Sequence, residues 1–247
     1  MAKAFITGGA KRMGKVISLF LARQGWDIIL HYNTSKDEAI ELAHQIRQLG
    51  RDITLLQADF AQKDELGSVL EALSNVEDIH LLVNNAAVFI NDNFENTKYD
   101  GLVAHLQINV VAPIILAQHL LGSAKNTLNV NIINILDYTV FQIQRNFFSY
   151  NLSKRILYDY TKLTSLQAAP HARINGISLG QVMQNPKQKK EDYKLAISST
   201  PLQCGGTTRE LCNTIQFILQ TPSLTGQVFT LDGGAHLEGA CTVKRSR

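Results

Sequence analysis

A tyrosine and a lysine four residues apart, Tyr150 and Lys154, form the first candidate catalytic pair in the sequence. Residues at i and i+4 lie on the same face of a helix, so the spacing predicts that both side chains enter one site. A free tyrosine has a pKa of about 10 and is a poor acid–base catalyst at neutral pH, whereas a neighbouring ammonium favours the phenolate. The pair therefore predicts proton transfer to or from a substrate, with Lys154 lowering the pKa of Tyr150.

A glycine-rich turn at residues 7–14 (TGGAKRMG) follows the first apolar segment and opens a helix. In a doubly wound fold the pyrophosphate of a dinucleotide lies here, because backbone N–H groups and the helix N-terminus favour an anion. Gly8 and Gly14 allow close approach, and Arg12 and Met13 complete the predicted cofactor-binding turn. The alternative is that these glycines only close an ordinary strand-to-helix turn.

The end of the second predicted strand indicates which nicotinamide cofactor is used. An Asp or Glu at this place binds the ribose 2′-OH of NAD, but residues 31–35 read HYNTS and contain no carboxylate. Ser35 is a possible donor to a 2′-phosphate, with Lys11, Arg12 or Lys36 as nearby cations. The sequence therefore predicts NADPH, bound here by His31, Tyr32, Asn33 and Ser35. The alternative is a solvated polar loop.

Apolar segments of strand length alternate with stretches of helical period along the chain. Helices are predicted at 13–24, 36–49, 64–73, 102–121, 149–167 and 208–219, separated by about seven apolar strands. Such strands, each returning through a helix, predict a parallel sheet with helices on both faces. We therefore expect an α/β fold, a single doubly wound Rossmann-fold domain over residues 1–247. The polar stretch 181–200 is the one long break and is predicted to be a substrate loop.

Composition narrows the function classes. Of the 247 residues 45% are apolar and 18% charged, and the net charge is only +3, so neither a disordered chain nor a nucleic-acid-binding protein is favoured. The three cysteines form no C-x-x-C pair, which argues against a disulfide framework or a metal site. No secretory leader and no apolar run of membrane-spanning length are recognised. We expect a cytoplasmic protein with a small-molecule substrate.

Together with Tyr-x-x-x-Lys, the glycine-rich turn and residues 84–87 (NNAA) resemble the short-chain dehydrogenase/reductase family, from about Lys3 to Gly234. Arg12 stands at the middle glycine of the family's turn. The resemblance implies that Asn85, Ala86 and Asp59 contact the cofactor, that Asn109 joins the catalytic residues, and that the protein is a homotetramer. Asp59 would equally cap the helix that follows it.

The position about 13 residues before Tyr150, where the family has a serine, holds Asp137. An ionised carboxylate cannot donate a hydrogen bond to a ketone oxygen, so Asp137 suits a substrate that offers donors or needs a proton at a ring nitrogen. The sequence resembles the pteridine reductase branch of this family at this aspartate, at Arg12, at residues 31–32 and at Phe89. That resemblance implies a dihydropterin or dihydrofolate substrate, bound by Arg12, Phe89, Asp137 and Tyr150. The alternatives are that Phe89 is a core aromatic residue and Asp137 a helix cap.

Three other functions are compatible with parts of the sequence. A 3-oxoacyl-acyl-carrier-protein reductase or another carbonyl reductase of the same family would have Ser at position 137. A non-enzymatic dinucleotide sensor would be expected to lack Tyr150 or Lys154. Residues 176–180 match the serine hydrolase motif G-x-S-x-G, but no helix is predicted directly after them.

Overall fold

The computed structural model describes residues 2–122, 130–186 and 188–238. Seven parallel strands form one sheet in the order β3-β2-β1-β4-β5-β6-β7. The strands are β1 Lys3–Ile6, β2 Asp27–Tyr32, β3 Ile53–Gln57, β4 Ile79–Asn84, β5 Val130–Asp137, β6 Ala172–Leu179 and β7 Val228–Leu231. The predicted doubly wound Rossmann-type fold is confirmed.

Helices cover both faces of the sheet, because successive side chains of a strand point to opposite faces. Ile133 of β5 packs in one apolar cluster with the helices Arg12–Arg23, Lys36–Gln48 and Thr208–Gln220. Ile132 packs in the other cluster with the helices Lys63–Ser74 and Ala112–Gly122. The helices are α1 Arg12–Arg23, α2 Lys36–Gln48, α3 Lys63–Ser74, α4 Tyr99–Leu106, α5 Ala112–Gly122, α6 Phe148–Ala168, α7 Lys190–Ser198 and α8 Thr208–Gln220.

The strand order reverses between β1 and β4, which pair in parallel through Ile6 and Val83. Chain connections leave the sheet in opposite directions at such a point and open a crevice beyond the carboxyl ends of the strands. The glycine-rich turn follows β1, residues 85–98 follow β4, and Asp137 ends β5. The fold therefore brings the three candidate segments to one edge of the sheet.

The helix predicted at 102–121 begins three residues earlier and is interrupted. It runs from Tyr99 to Gly122, with a π-helical turn at Gln107–Val111 between α4 and α5. It is long and apolar enough to cross a membrane, but Leu116 and Leu120 are fully buried in the cluster beneath the sheet. We therefore interpret it as a core helix.

The stretch 181–200, predicted to be a substrate loop, contains a helix, and its contact with substrate stays a prediction. Helix α7 occupies Lys190–Ser198 within it, with Glu191 and Asp192 in the first turn, where carboxylates favour a helix. No residue of α7 is buried, and its only apolar stripe is the short, partly buried set Tyr193, Ala196 and Ile197, which is a weak sign of helical period. Lys187 lies outside the described residues.

Candidate active site

The glycine-rich turn between β1 and α1 is packed so closely that a side chain would clash at Gly8 and at Gly14. Gly8 has a φ of +60°, and a Cβ there would lie 3.0 Å from the Cα of Ala86. A Cβ on Gly14 would lie 2.1 Å from the carbonyl oxygen of Gly8. Asn85 fastens the turn by donating from Nδ2 to the carbonyl oxygens of Thr7 and Gly8, at 2.9 and 3.0 Å. The turn is thus closely packed and held by side-chain hydrogen bonds, and Gly8 lines an adjoining cavity.

His31 supports the same turn from below. Its Nδ1 accepts the N–H of Gly8 at 3.1 Å, and its Nε2 lies 3.0 Å from the carbonyl oxygen of Ala58. The ring stacks on Phe60 with centroids 3.8 Å apart. These partners require the neutral tautomer with a proton on Nε2. Burial lowers the pKa of His31 to about 4, although the Ala58 carbonyl and Asp59 oppose this.

We expect His31 to make folding stability fall in mild acid. Its pKa is 6.5 in the unfolded chain and about 4 in the folded protein, so below pH 6.5 only the unfolded state gains the proton. The free energy of unfolding should therefore decrease by about 3 kcal/mol as the pH falls from about 6.5 to about 4, and be unaffected by this group above that range. Urea unfolding at several pH values measures it.

The matched control is His31→Gln, whose amide retains one donor and one acceptor but does not titrate. The variant should be less stable than the wild type at pH 7, and the difference should narrow at pH 4.5. Parallel stability–pH curves for the two proteins would contradict the neutral, buried state of His31.

A cavity of about 300 Å³ extends from this turn along the ends of β2 and β3. Ser35 directly precedes α2, and its hydroxyl makes no capping hydrogen bond to that helix. Lys11 forms a 2.7 Å ion pair with Glu38. The lining provides an ammonium and a free hydroxyl for an anionic group. Predicted cofactor residues in the lining are Gly8, His31, Tyr32, Asn33, Ser35, Asp59 and Ala86.

Two of the predicted cofactor residues make contacts within the protein. Asp59, which also lines the cavity, accepts the N–H of Ala61 at 2.9 Å and so caps the turn before α3. Met13 packs against the apolar cluster of α1, α2 and α8.

Asp137 and Tyr150 are in direct contact at the end of β5. The Tyr150 hydroxyl donates to Oδ2 of Asp137 at 3.2 Å, and Oδ1 accepts the N–H of Thr139 at 3.0 Å. Lys154 is buried one turn further along α6, where its Nζ donates to the carbonyl oxygen of Ile135 at 2.7 Å. Asp137 thus caps a short turn, as one alternative proposed, and also contacts the candidate acid.

The expectation that Lys154 lowers the pKa of Tyr150 is not met. Burial and the adjacent Asp137 raise the pKa of Tyr150 well above its ordinary value, because the phenolate would be poorly hydrated beside another anion. Burial lowers the pKa of Lys154 to about 8, although Asp137 opposes this. Burial also raises the pKa of Asp137 despite hydrogen bonds from Thr139 and the charge of Lys154. Tyr150 is consequently held in its protonated form.

Asn109 lies in the π-helical turn and is fully buried. Its side chain accepts the N–H of Val88 at 2.9 Å and donates to the carbonyl of Val88 and to Oγ of Ser153. Ser153 precedes Lys154, so Asn109 joins the segment after β4 to α6. A direct part in proton transfer stays a prediction.

Arg12 and Phe89 contact different segments of the chain. Arg12 has a φ of +50° where the family has glycine, and its guanidinium donates to the carbonyl oxygens of Met183 and Gln184. Phe89 is 47% exposed, so it is not a core residue. Its ring meets Tyr150 edge-on with centroids 4.6 Å apart and stacks on Phe147 at 4.3 Å.

Some residues around the site carry no recognisable pattern in the sequence. Phe147 adopts a left-handed conformation with a φ of +60° directly before α6. Asp92 and Thr97 contact Ser149 at the start of that helix. These contacts join segments more than fifty residues apart, and no local spacing predicts them.

A family profile, curated proteins and solved structures all match nearly the whole chain. Residues 8–236 match a short-chain dehydrogenase profile described as enoyl-(acyl carrier protein) reductase. The dihydromonapterin reductase of Escherichia coli strain K12 is 25% identical over 236 residues, which cover 94% of this chain and 95% of that protein. FolM alternative dihydrofolate reductase 1 from Brucella suis, solved with NADP, is 33% identical with a TM-score of 0.90, and 96% of each chain is covered. A blue fluorescent protein from a metagenomic library, solved with NADPH, is 25% identical with a TM-score of 0.86, covering 95% of this chain and 97% of that one.

Proposed function

The chain belongs to the short-chain dehydrogenase/reductase family, and we propose that it is an NADPH-dependent reductase of a pterin-type substrate, a dihydropterin or dihydrofolate. Membership of the family and relatives solved with NADP or NADPH make it an NADP-dependent oxidoreductase. The pterin substrate is the more specific part of the proposal. It is supported by the names of two relatives, a dihydromonapterin reductase and an alternative dihydrofolate reductase.

The observation that carries the proposal is the hydrogen bond between Tyr150 and Asp137. A carboxylate 3.2 Å from the catalytic hydroxyl repels a developing alkoxide and accepts hydrogen bonds, so it disfavours a simple ketone. A pterin offers an exocyclic amine and ring N–H groups as donors. Phe89, half exposed beside Tyr150, provides a flat surface on which a fused ring can stack.

The residues present fit a bound dinucleotide. Gly8 and Gly14 allow the turn to pack closely at the N-terminus of α1, where backbone N–H groups would hold phosphates. Lys11 and Ser35 line the adjoining cavity and would hold a 2′-phosphate. When bound, NADPH supplies the hydride. The buried ammonium of Lys154 donates one hydrogen bond, to the carbonyl oxygen of Ile135, and its other protons would donate to ribose hydroxyls.

Tyr150 supplies the proton in the proposed reaction. Hydride adds to the carbon of the pterin C=N bond, and a proton must reach the neighbouring nitrogen. The Tyr150 hydroxyl is protonated at neutral pH, since burial and Asp137 raise its pKa. Asp137 accepts donors of the substrate and orients that hydroxyl, and the ammonium of Lys154 offsets the charge left on the phenolate.

The direct test is NADPH oxidation measured with a panel of dihydropterins, dihydrofolate, acetoacetyl thioesters and enoyl thioesters. We expect the highest kcat/KM with a dihydropterin or dihydrofolate. Efficient turnover of a thioester with none of the pterins would overturn the pterin proposal and leave only the family-level activity.

We expect NADPH to be preferred over NADH by tenfold or more in kcat/KM, and Lys11→Ala to remove most of that preference. A charge-assisted hydrogen bond to a 2′-phosphate contributes roughly 1.5–3 kcal/mol, reduced here because the Lys11 side chain is 49% exposed. Steady-state kinetics with both cofactors measures the preference.

Glu38→Gln is the matched control for Lys11, because it removes the carboxylate that pairs with the ammonium. It should leave activity with NADH unchanged and maintain or increase activity with NADPH. Equal kcat/KM for the two cofactors in the wild type would refute the assignment of this cavity wall to the 2′-phosphate.

We also propose a homotetrameric, cytoplasmic protein, by resemblance to the family. Sedimentation velocity of the purified chain measures the assembly, and cell fractionation the location.

A further inference from the structure

The catalytic helix begins without a cap from its own sequence. Helix α6 starts at Phe148, and the preceding residue, Phe147, offers no side-chain acceptor to the first free N–H groups. The first N–H groups of a helix need partners, which a Ser, Thr, Asp or Asn usually supplies from the preceding position. Tyr150 lies in this first turn, so the way in which the turn is held determines where its hydroxyl lies.

Asp92, from the segment between β4 and α4, supplies the missing acceptors. Its backbone carbonyl accepts the N–H of Phe148 at 3.2 Å, and its Oδ1 accepts the N–H of Ser149 at 3.1 Å. Oδ2 accepts the hydroxyls of Ser149 and, at 2.7 Å, Thr97. Ser149 is fully buried and directly precedes Tyr150. A carboxylate here is also favoured by the dipole of α6.

The charged form of Asp92 is favoured by these contacts. Although partial burial opposes ionisation, hydrogen bonds from Ser149 and Thr97 lower the pKa of Asp92. The carboxylate therefore remains an acceptor at neutral pH.

The same segment carries Phe89, the candidate platform for the substrate. Phe89 stacks on Phe147 with ring centroids 4.3 Å apart, and Phe94 meets Phe148 at 5.8 Å. Asp92 lies between these two aromatic contacts in the chain. The platform and the start of α6 are thus tied by one carboxylate and two ring pairs.

We propose that Asp92 is a positioning residue, which caps the catalytic helix from another segment and so sets the Tyr150 hydroxyl against Asp137 and the Phe89 platform. The inference rests on the proposed function only in that Tyr150 is the proton donor. It does not depend on whether the substrate is a pterin.

Asp92→Ala should lower kcat roughly 10- to 100-fold, since small displacements of a catalytic group cost this much. The dissociation constant of NADPH should be unchanged, because Asp92 does not line the cofactor cavity. Asp92→Asn retains an acceptor for the N–H of Ser149 and should recover much of the loss. Asp100→Ala, which removes an exposed carboxylate from the first turn of α4, is the matched control and should behave as wild type.

A double-mutant cycle with Tyr150→Phe distinguishes positioning from a general structural role. If Asp92 acts through Tyr150, Asp92→Ala should reduce kcat no further in the Tyr150→Phe background. The cycle uses whichever substrate in the panel the wild type reduces, so failure of the pterin assignment does not affect it. Additive losses, or a lower melting temperature with normal kcat, would overturn the proposal.

Amide hydrogen exchange provides a readout that needs no substrate. Asp92→Ala should increase exchange in a peptide covering residues 148–152, whereas Asp100→Ala should not. Unchanged protection of that peptide would equally reject the capping role.

Discussion

Replacing Tyr150 by Phe is expected to reduce kcat by a factor on the order of 10² or more, with the affinity for NADPH little changed. The change removes only the hydroxyl that donates to Asp137 at 3.2 Å, and loss of a general acid typically costs 10²- to 10⁴-fold. The ring contacts with Phe89 and His105 are retained, so the fold should be preserved. Single-turnover NADPH oxidation separates this chemical step from product release.

Lys154 provides the comparison for Tyr150. Lys154→Met puts an unbranched apolar side chain in the buried position and so removes the ammonium. The variant should bind NADPH more weakly and have a lower kcat. If Tyr150→Phe retained near-normal single-turnover rates, the proton would have to come from another group, and Asp137 would be the nearest candidate in the part of the chain that the structure describes.

The fold and the placement of Tyr150 and Lys154 on one helix could be predicted because their signals are local. Each strand and most helices appear as apolar segments of a characteristic period, and Tyr150 and Lys154 are one helical turn apart. Helix α7 is not predicted because its local signal is weak. None of its residues is buried, and its pattern resembles that of a polar loop. The position of the glycine-rich turn between β1 and α1 could likewise be predicted from the sequence, whereas its binding of a cofactor stays a prediction.

The electrostatics of the site could not be predicted in this way. The spacing predicts that Lys154 lowers the pKa of Tyr150, but that pKa depends on burial and on Asp137, which contacts Tyr150 from the end of strand β5. The role of His31 under Gly8 and that of Asp92 at Ser149 also depend on long-range contacts. A sequence identifies the chemical groups, whereas the packing of distant segments determines their protonation and orientation.

Asp137→Ser is expected to lower kcat/KM for dihydropterin reduction by two to four orders of magnitude, within the range of a lost acid–base group. The variant removes the carboxylate that accepts the Tyr150 hydroxyl and would accept donors of the pterin. A serine hydroxyl donates to a carbonyl oxygen, so activity toward a β-keto thioester should be retained or increased. Parallel assays of both substrate classes measure the change in specificity.

The structure suggests why this substitution should not simply unfold the site, and which control belongs beside it. Asp137 also accepts the N–H of Thr139, a capping role that serine fills about as well as aspartate. Asp137→Asn keeps an acceptor for the same N–H and is nearly isosteric, but it loses the charge. If the carboxylate itself recognises the pterin, the Asp137→Asn variant should lose dihydropterin reduction almost as fully as the Asp137→Ser variant. Its thioester reduction should increase less than that of the serine variant.

A pteridine-shaped antifolate should raise the melting temperature of the wild type by mass action, and that of both variants much less. Undiminished dihydropterin reduction by Asp137→Ser would show that the substrate is recognised by other groups.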